Sequence, residues 1–594
     1  MAKFFLTNNA EWYQKTKELI TNSEFKLAFD YAKEGIYALT THKLKIKNKN
    51  AYDTRAGDFV IATGTAVYKA SLDYSNLLND FSNEDAQQGG VCAVRANTVG
   101  QYAYALKQGD EITIFGDGFG AYDIYYYYRD GYYYVSNFLY DMACVLKDKI
   151  SVNELNVIEN AIRRAILCNE TVFNEISNLN GDEFISIKKE NFSVCDIPYD
   201  WSVNASKSSK EASKDIAEKM EKKAKILYEV FGSPNIFMTG GLDSRMSLAA
   251  YLNVGAEPML SYGLSNTHIA YPDKEDADIV HDMASTFGLK DNVMLWDTRF
   301  PDKEWDKELM RYGFLYEFWC GTDCMMKSFE DQDNTMCTFG LGGEMYRTYD
   351  IVKNNDCLTE DVLLKDFYFL YSHPGIENTE LKRHLQNKLR KIASKYHVDI
   401  NHIKPEEHFY FDKEVRRHSD AGGGMANLLN LIRYSEILLL EQDVVSCTRI
   451  PVKNMEKGTL LLQVMHTLYP HVLNFPIHSH HELCTYNPQD MTLVSGLDAQ
   501  RSKYILHLKK IYHRLHRIEL LERIRYLYKN YERFFIKHNT AVAKHESYKS
   551  AEMKSVYKKI ETSFCRSLTL NEPSLAVLHT MNLKAINSIM CKKA

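Results

Sequence analysis

The stretch "NIFMTGGLDSRMSLAAYL", residues 235–252, constrains the fold more than any other. A short apolar run meets two glycines, and the segment after Ser244 has helical character. A strand that feeds a helix through a glycine corner is the building step of a parallel sheet. Gly240 and Gly241 let the backbone turn tightly and leave no Cβ in the way of a ligand. Backbone N–H groups at the helix N-terminus face the same space, and Thr239 and Ser244 add hydroxyls, so the corner reads as a cradle for phosphate or pyrophosphate. Asp243 cannot attract phosphate itself and makes sense as a Mg²⁺ ligand beside it. A plain strand–turn–helix corner without a ligand is the alternative. The pattern is neither GxGxxG nor GxxxxGK[ST], which argues against dinucleotide folds and Walker NTPases.

The alternation continues downstream. Residues 258–264 predict a strand, 273–289 a helix ending at Gly288, and 292–296 and 334–344 further strands, the last with a Gly-rich exit. That order predicts a parallel sheet covered on both faces. Residues 359–470 read as chiefly helical. Upstream, 205–233 predicts a boundary helix with Ile216, Met220, Ala224 and Leu227 along one face. The first 200 residues read as mostly β, with strand-rich runs at 59–70, 89–97, 103–117, 124–137 and 182–194, and helices at 138–147 and 152–168. Arg129–Asp130–Gly131 fits a hairpin loop between two tyrosine strands. Residues 501–550 hold thirteen Lys/Arg against four Asp/Glu, as basic amphipathic helices. They suit a solvated face with a partner-facing apolar stripe, or an anionic ligand, membrane surface or nucleic acid.

The 594 residues suggest two to four domains. A formal charge of -6 gives no global pull toward nucleic acid or anionic membrane. The apolar run "FFL" is too short for a signal peptide, and no run of eighteen apolar residues occurs, so a cytoplasmic protein is expected. The 12 cysteines are scattered. Cys320, Cys324 and Cys337 form no compact zinc pattern with histidine and read as reduced core thiols.

"TGGLDS" resembles the SGGxDS pyrophosphate loop of ATP pyrophosphatases, and the wider order resembles the asparagine synthetase / β-lactam synthetase family. The resemblance covers about 1–480. It implies that Thr239, Gly240, Gly241, Asp243 and Ser244 hold the pyrophosphate of ATP, with Mg²⁺ on Asp243. "LSYGLS" (260–265) matches the family's second strand, which implies adenine contacts from Tyr262 and Gly263. "CTFGLGGEMYR" (337–347) looks like its second metal segment, on which Gly340, Leu341, Gly342, Gly343 and Glu344 fall. Glu344 then replaces the second Mg²⁺-binding aspartate. Leu341 stands where the family carries a glutamate or tyrosine tied to amine attack, and leucine relays no proton. Tyr346 or Tyr349 could serve instead, with Arg347 as an anion clamp. Lys457, with Lys453 as runner-up, matches the lysine that steadies the α-phosphate transition state. Arg449 and Pro451 match an Arg-x-Pro turn that orients this segment or meets substrate. Arg245 either adds charge near phosphate or lies on the surface.

The first 200 residues resemble the family's glutamine amidotransferase-like domain. In "FGDGFGAYDIYYYYRDGYYYVSN" (115–137), Asp117, Gly120 and Tyr125 fall in place, while Asp123 sits where proline is usual. The family's glutaminase uses an N-terminal cysteine; the second residue here is Ala2, so glutamine hydrolysis is expected to be lost. The resemblance therefore implies a degenerate α+β Ntn-type sandwich at 1–204, an α/β parallel-sheet ATP pyrophosphatase domain at 205–499, and a basic helical extension at 500–594. It implies a ligase that adenylates a carboxylate with Mg·ATP and transfers it to an amine or ammonia. A protein partner at the basic helices and a homodimer are both open. The rival reading is a degenerate nucleotide-binding scaffold, which Ala2 and Leu341 favour and Asp243 and Glu344 disfavour.

Overall fold

The computed structural model describes residues 2–495, apart from 48–50, 83–86, 164, 190, 198, 266–273, 297–334, 348–351, 353–354, 369–378, 419–422, 456–458 and 480–481. Two six-stranded antiparallel sheets occupy the first 200 residues. One runs Ser177–Asn178, Tyr125–Arg129, Tyr132–Ser136, Phe4–Thr7, Ile36–Thr41, Leu27–Lys33. The other runs Asn191–Asp196, Glu183–Lys188, Glu111–Gly116, Tyr102–Gln108, Phe59–Gly64, Ala51–Asp53. Alternation along the strands decides what each face meets. Phe4, Leu6, Tyr133 and Val135 share a core with Phe59, Ile61, Ile112, Ile114 and Ile185, so the sheets stack face to face. Their neighbours point the other way. Phe5 and Tyr134 meet Trp12 and Met142 of the helices Ala10–Thr21 and Leu139–Leu146. Val60, Tyr104 and Phe115 meet Leu77, Val91 and Val94 of Leu77–Ser82 and Gln87–Ala96. The result is four layers, helix–sheet–sheet–helix.

The tyrosine hairpin forms as the sequence predicts. Tyr125–Arg129 pairs with Tyr132–Ser136 across Asp130 and Gly131, both at positive φ (53° and 80°), the geometry of a primed two-residue turn. The stretch 89–97, read as a strand, falls almost entirely within the helix Gln87–Ala96. Its Gly-Gly pair looks like a turn signal, but Val91 and Val94 are three apart and lie buried together.

The helix Ser209–Phe231 begins at a capping box, with Ser208 and Glu211 bonding each other's backbone, and buries Ile216, Met220, Ala224 and Leu227 as the periodicity predicts. It leads into a five-stranded parallel sheet ordered Asp291–Trp296, Met259–Ser265, Asn235–Phe237, Met336–Phe339, Tyr434–Glu436. The last strand lies inside a region read as helical; three residues leave no periodicity to detect. In chain order the strands sit 3-2-1-4-5. The winding therefore reverses at Asn235–Phe237 and Met336–Phe339, and the crevice outside their carboxyl ends is where such sheets bind ligands. A small antiparallel sheet of Ile477–Ser479, Glu482–Asn487 and Thr492–Ser495 follows.

A buried polar seam joins the front sheets to the parallel sheet. Lys43 Nζ donates to Asn430 O (2.6 Å) and Oδ1 (3.0 Å), and Thr65 Oγ1 donates to Asn430 Oδ1 (2.9 Å). Gly100 N donates to Glu441 Oε1 (2.7 Å). Among the described residues no helix is long and apolar enough to cross a membrane. Every described cysteine is a free thiol; Cys320 and Cys324 lie outside the described residues. So do Tyr349, Lys457 and the basic helices of 500–594.

Candidate active site

Both stretches singled out in the sequence end at the reversal point. Phe237 and Phe339 close the two central strands with stacked rings 4.5 Å apart, forming the floor. The first strand passes through Met238 and Thr239 into the helix Leu242–Asn253. Apart from Asp243, this helix is buried from Leu242 through Tyr251, its polar Ser244, Arg245 and Ser247 included, as in a helix packed on every side. Gly241 is its N-cap, and no side chain caps it. An uncapped N-terminus beside a crevice is free to meet an anion.

The loop is held from within and from outside. Ser244 Oγ accepts from Thr239 N (3.1 Å) and donates to Thr239 O (3.2 Å). Gly241 N donates to Thr239 Oγ1 (3.2 Å). Gly240 N donates to Asp276 Oδ1 (2.9 Å), which also takes His478 Nδ1 (3.0 Å), while His478 N donates to Gly240 O (2.9 Å). Three loop amides are thus already occupied, and the helix's uncapped first turn is what remains for an anion.

Arg245 is neither at the surface nor facing the crevice. It is fully buried and donates to the carbonyls of Val472 (3.2 Å), Phe475 (3.0 Å), Gly240 (3.0 Å) and Pro476. Its role is to lock the corner to the turn before Ile477–Ser479. Sequence reasoning missed Asp276 and His478 as braces, because Asp276 lies 36 positions from Gly240 and His478 a further 202 beyond Asp276.

The second segment packs directly onto the first. A Cβ on Gly340 would lie 2.1 Å from Ser244 N, and one on Gly343 would lie 2.1 Å from Asp243 Cγ. Gly342 sits in the left-handed region (φ 85°) at the start of a short 3₁₀ turn, Gly343–Tyr346. Gly343 packs against Asp243, and Glu344, next in the chain, is near enough for its charge to act on the Asp243 carboxyl. Asp243 gives both oxygens to Arg347, whose Nε donates to Gly343 O (3.3 Å). Glu344 Oε1 lies 3.4 Å from Nη1 of Arg416, a residue no motif flagged. Burial pushes the Asp243 carboxyl up to about 6; Arg347 pulls it down and Glu344 adds to the rise.

Other expected site residues fall elsewhere. Tyr346 is fully buried and donates its hydroxyl to Leu439 O (3.0 Å), so it faces the core rather than the crevice. Tyr262 is buried and donates to Asp291 Oδ2 (3.1 Å); burial and that carboxylate push its phenol up to about 12. Gly263 lies beside it on the strand, and the exit of that strand is outside the described residues. Arg449 orients its segment: it donates to Trp201 O (2.8 Å) and Glu406 O (2.9 Å) and stacks 4.1 Å over Phe409. Leu341 is partly buried among apolar side chains.

A cavity of about 50 Å³ adjoins Glu344 and Arg347, lined also by Glu406, His408, Asp412 and Arg449. A roomier one of about 300 Å³ lies at the seam between the front sheets and the parallel sheet, among Arg95, Asp117, Lys223 and Glu441. Its charged groups are already engaged: Lys223 with Glu441 (2.8 Å), and Asp117 with the amides of Gly120, Ala121 and Tyr122.

The residues fit Mg·ATP in outline. The helix N-terminus is uncapped by any side chain, and the half-buried carboxylates of Asp243 and Glu344 stand beside it. Among the described residues no three His, Cys, Asp or Glu side chains converge on one metal position. Two carboxylates with phosphates completing the shell are how Mg²⁺ is usually held.

No family model and no curated protein matches the chain. Solved structures that resemble it weakly include the following two. One is the glutamine phosphoribosylpyrophosphate amidotransferase of B. subtilis complexed with ADP and GMP, at 10% identity and TM-score 0.23, covering 52% of this chain and 70% of that one. The other is described as the allosteric regulatory enzyme of purine biosynthesis, at 13% identity and TM-score 0.23, covering 50% and 74%. At that TM-score the likeness defines neither fold nor activity.

Proposed function

We propose that the chain is an ATP-dependent ligase that adenylates a substrate carboxylate and passes it to an amine or ammonia, without hydrolysing glutamine. One observation carries the reading: the "TGGLDS" loop and the "GLGGE" segment meet at the reversal of a parallel sheet, with Asp243 and Glu344 side by side. In this reading residues 1–204 are a degenerate Ntn-type domain, 205–499 an ATP pyrophosphatase domain and 500–594 a helical extension. Asp243 and Glu344 would hold Mg²⁺, which when bound offsets charge on the phosphates.

The chain's own residues do the rest. The amides opening Leu242–Asn253, with Thr239 and Ser244 behind them, orient the β- and γ-phosphates. A substrate carboxylate oxygen attacks the α-phosphorus, the α–β bridging bond breaks, and the pyrophosphate stays against the helix N-terminus. An amine then attacks the acyl carbon, AMP leaves with the electron pair, and the amine loses a proton. With Leu341 apolar and the Tyr346 hydroxyl engaged in the core, that proton goes to the substrate's own groups, to water or to the carboxylates lining the small cavity. Lys457 keeps its proposed role at the α-phosphate, and Tyr262 and Gly263 theirs at adenine. Isotope exchange between labelled pyrophosphate and ATP, over a panel of carboxylates, tests the first half. Exchange that vanishes in Asp243→Ala supports the reading; exchange that survives it removes Asp243 from the chemistry.

A second reading, a nucleotide-binding scaffold, draws on a specific observation. Both candidate metal carboxylates are paired with arginines, and three loop amides are internally bonded. Tight nucleotide binding without exchange on any carboxylate would favour it.

A further inference from the structure

Asp243 and Glu344 each meet a guanidinium. Arg347 sets Nη2 against both oxygens of Asp243. Arg416, from the helix His408–His418, approaches Glu344 and also lies 3.4 Å from Asp412. Arg347 is three residues beyond Glu344 but 104 positions from Asp243, so the pair is a tertiary contact between the two motifs. Its Nε bond to Gly343 O curls the side chain back over its own turn and aims the guanidinium at the crevice.

This arrangement has a chemical consequence. Nη2 set against both oxygens engages one lone pair on each, and it brings a positive charge to the spot where a hard cation would sit. Mg²⁺ sheds water reluctantly and takes only one or two carboxylates from a protein, so alone it competes poorly for Asp243. A polyphosphate alters the balance, because the planar guanidinium donates to phosphate oxygens as readily as to carboxylate. We propose that Arg347 is an exchange latch: it closes Asp243 to free divalent cations, and passes to the polyphosphate when metal and nucleotide enter together. The inference rests on the reading of the crevice as an ATP site. It adds an order of entry, in which metal binds tightly only with nucleotide. It also gives Arg347 a positioning role that changes partner between the free and loaded chain. While the crevice is free, the guanidinium offsets the repulsion between Asp243 and Glu344.

The test uses the full chain with Mn²⁺ as probe, followed by the electron paramagnetic resonance of free Mn²⁺, with and without a β,γ-imido analogue of ATP. Wild type is expected to bind Mn²⁺ alone weakly and at least tenfold more tightly with the analogue. Arg347→Ala should bind Mn²⁺ alone at least tenfold more tightly than wild type and should lose most of the gain that the analogue brings. Arg347→Lys keeps the charge but not the fork and should fall between. It carries the test if circular dichroism finds the alanine variant unfolded. If neither variant binds Mn²⁺ alone more tightly than wild type, while all bind it with the analogue, the latch is overturned and the ATP site stands. If Arg347→Ala gains Mn²⁺ affinity but no form binds the analogue, the ATP site falls and the exchange with it.

Discussion

Replacing Gly343 by alanine probes the joint between the two motifs without replacing a charged residue. The added methyl would stand 2.1 Å from Asp243 Cγ and 2.3 and 2.5 Å from its oxygens. Carbon atoms rest about 3.5 Å apart, so the carboxylate must retreat by more than about 1 Å. Gly343 is not at positive φ, so the backbone itself accepts the change. Asp243 is the far end of a short side chain and can swing aside, at the cost of its contact with Arg347. A charge-assisted bond of that kind contributes about 1.5–3 kcal/mol when buried. With 22% of the Asp243 side chain exposed, about 1–2 kcal/mol is expected.

Gly340→Ala differs in kind. Its methyl would lie 2.1 Å from Ser244 N, 2.2 Å from Ser244 Cα and 2.3 Å from Asp243 C, all backbone of a buried helix that cannot rotate away. Overpacking against fixed atoms costs about 3 kcal/mol or more. Urea unfolding of both variants, with titration of a fluorescent ATP analogue in Mg²⁺, checks this. Gly343→Ala should stay folded and lose at least tenfold in nucleotide affinity, the equivalent of about 1.4 kcal/mol. Gly340→Ala should be the less stable of the two. Equal stability of the pair, or unchanged affinity in Gly343→Ala, would refute the packing argument.

Other substitutions probe the supports. Arg245→Met strips four buried carbonyls of their donor and should cost at least about 3 kcal/mol, read as a lower urea midpoint; a midpoint near wild type would mean water replaces the guanidinium. Tyr346→Phe removes one bond to Leu439 O and should cost about 1 kcal/mol while leaving pyrophosphate exchange within twofold; a tenfold loss would return the phenol to the chemistry. Glu170 gives the pH test. Burial alone would raise its carboxyl, but Lys388 and Lys391 hold it down at about 2. A carboxyl held below its unfolded value of about 4.3 stabilises the fold above that pH and loses the effect as pH falls toward 2. With 27% of its side chain exposed, the contribution at neutral pH is about 1–2 kcal/mol. The gap between wild type and Glu170→Gln should therefore narrow from pH 7 to pH 3, and a constant gap would sink the attribution.

Local patterns in the sequence determined the strand–glycine–helix corner, the capped helix 209–231 and the tyrosine hairpin. Each depends on neighbours a few residues apart: a turn that needs φ above zero, a cap three residues from its partner, a buried face repeating every turn. Even at short range the pattern misleads where glycines sit inside a helix, as at 89–97, or where a strand is only three residues long, as at 434–436. The motifs also named Asp243 and Glu344 as a pair. Only the tertiary structure decided what that pair touches. Arg347 and Arg416 reach the carboxylates, Asp276 and His478 brace Gly240, and Arg245 turns from the crevice into the core. The Tyr346 hydroxyl is spent on a carbonyl. These contacts join positions tens to hundreds of residues apart, and no periodicity records which side chains the winding of the sheet brings into one crevice.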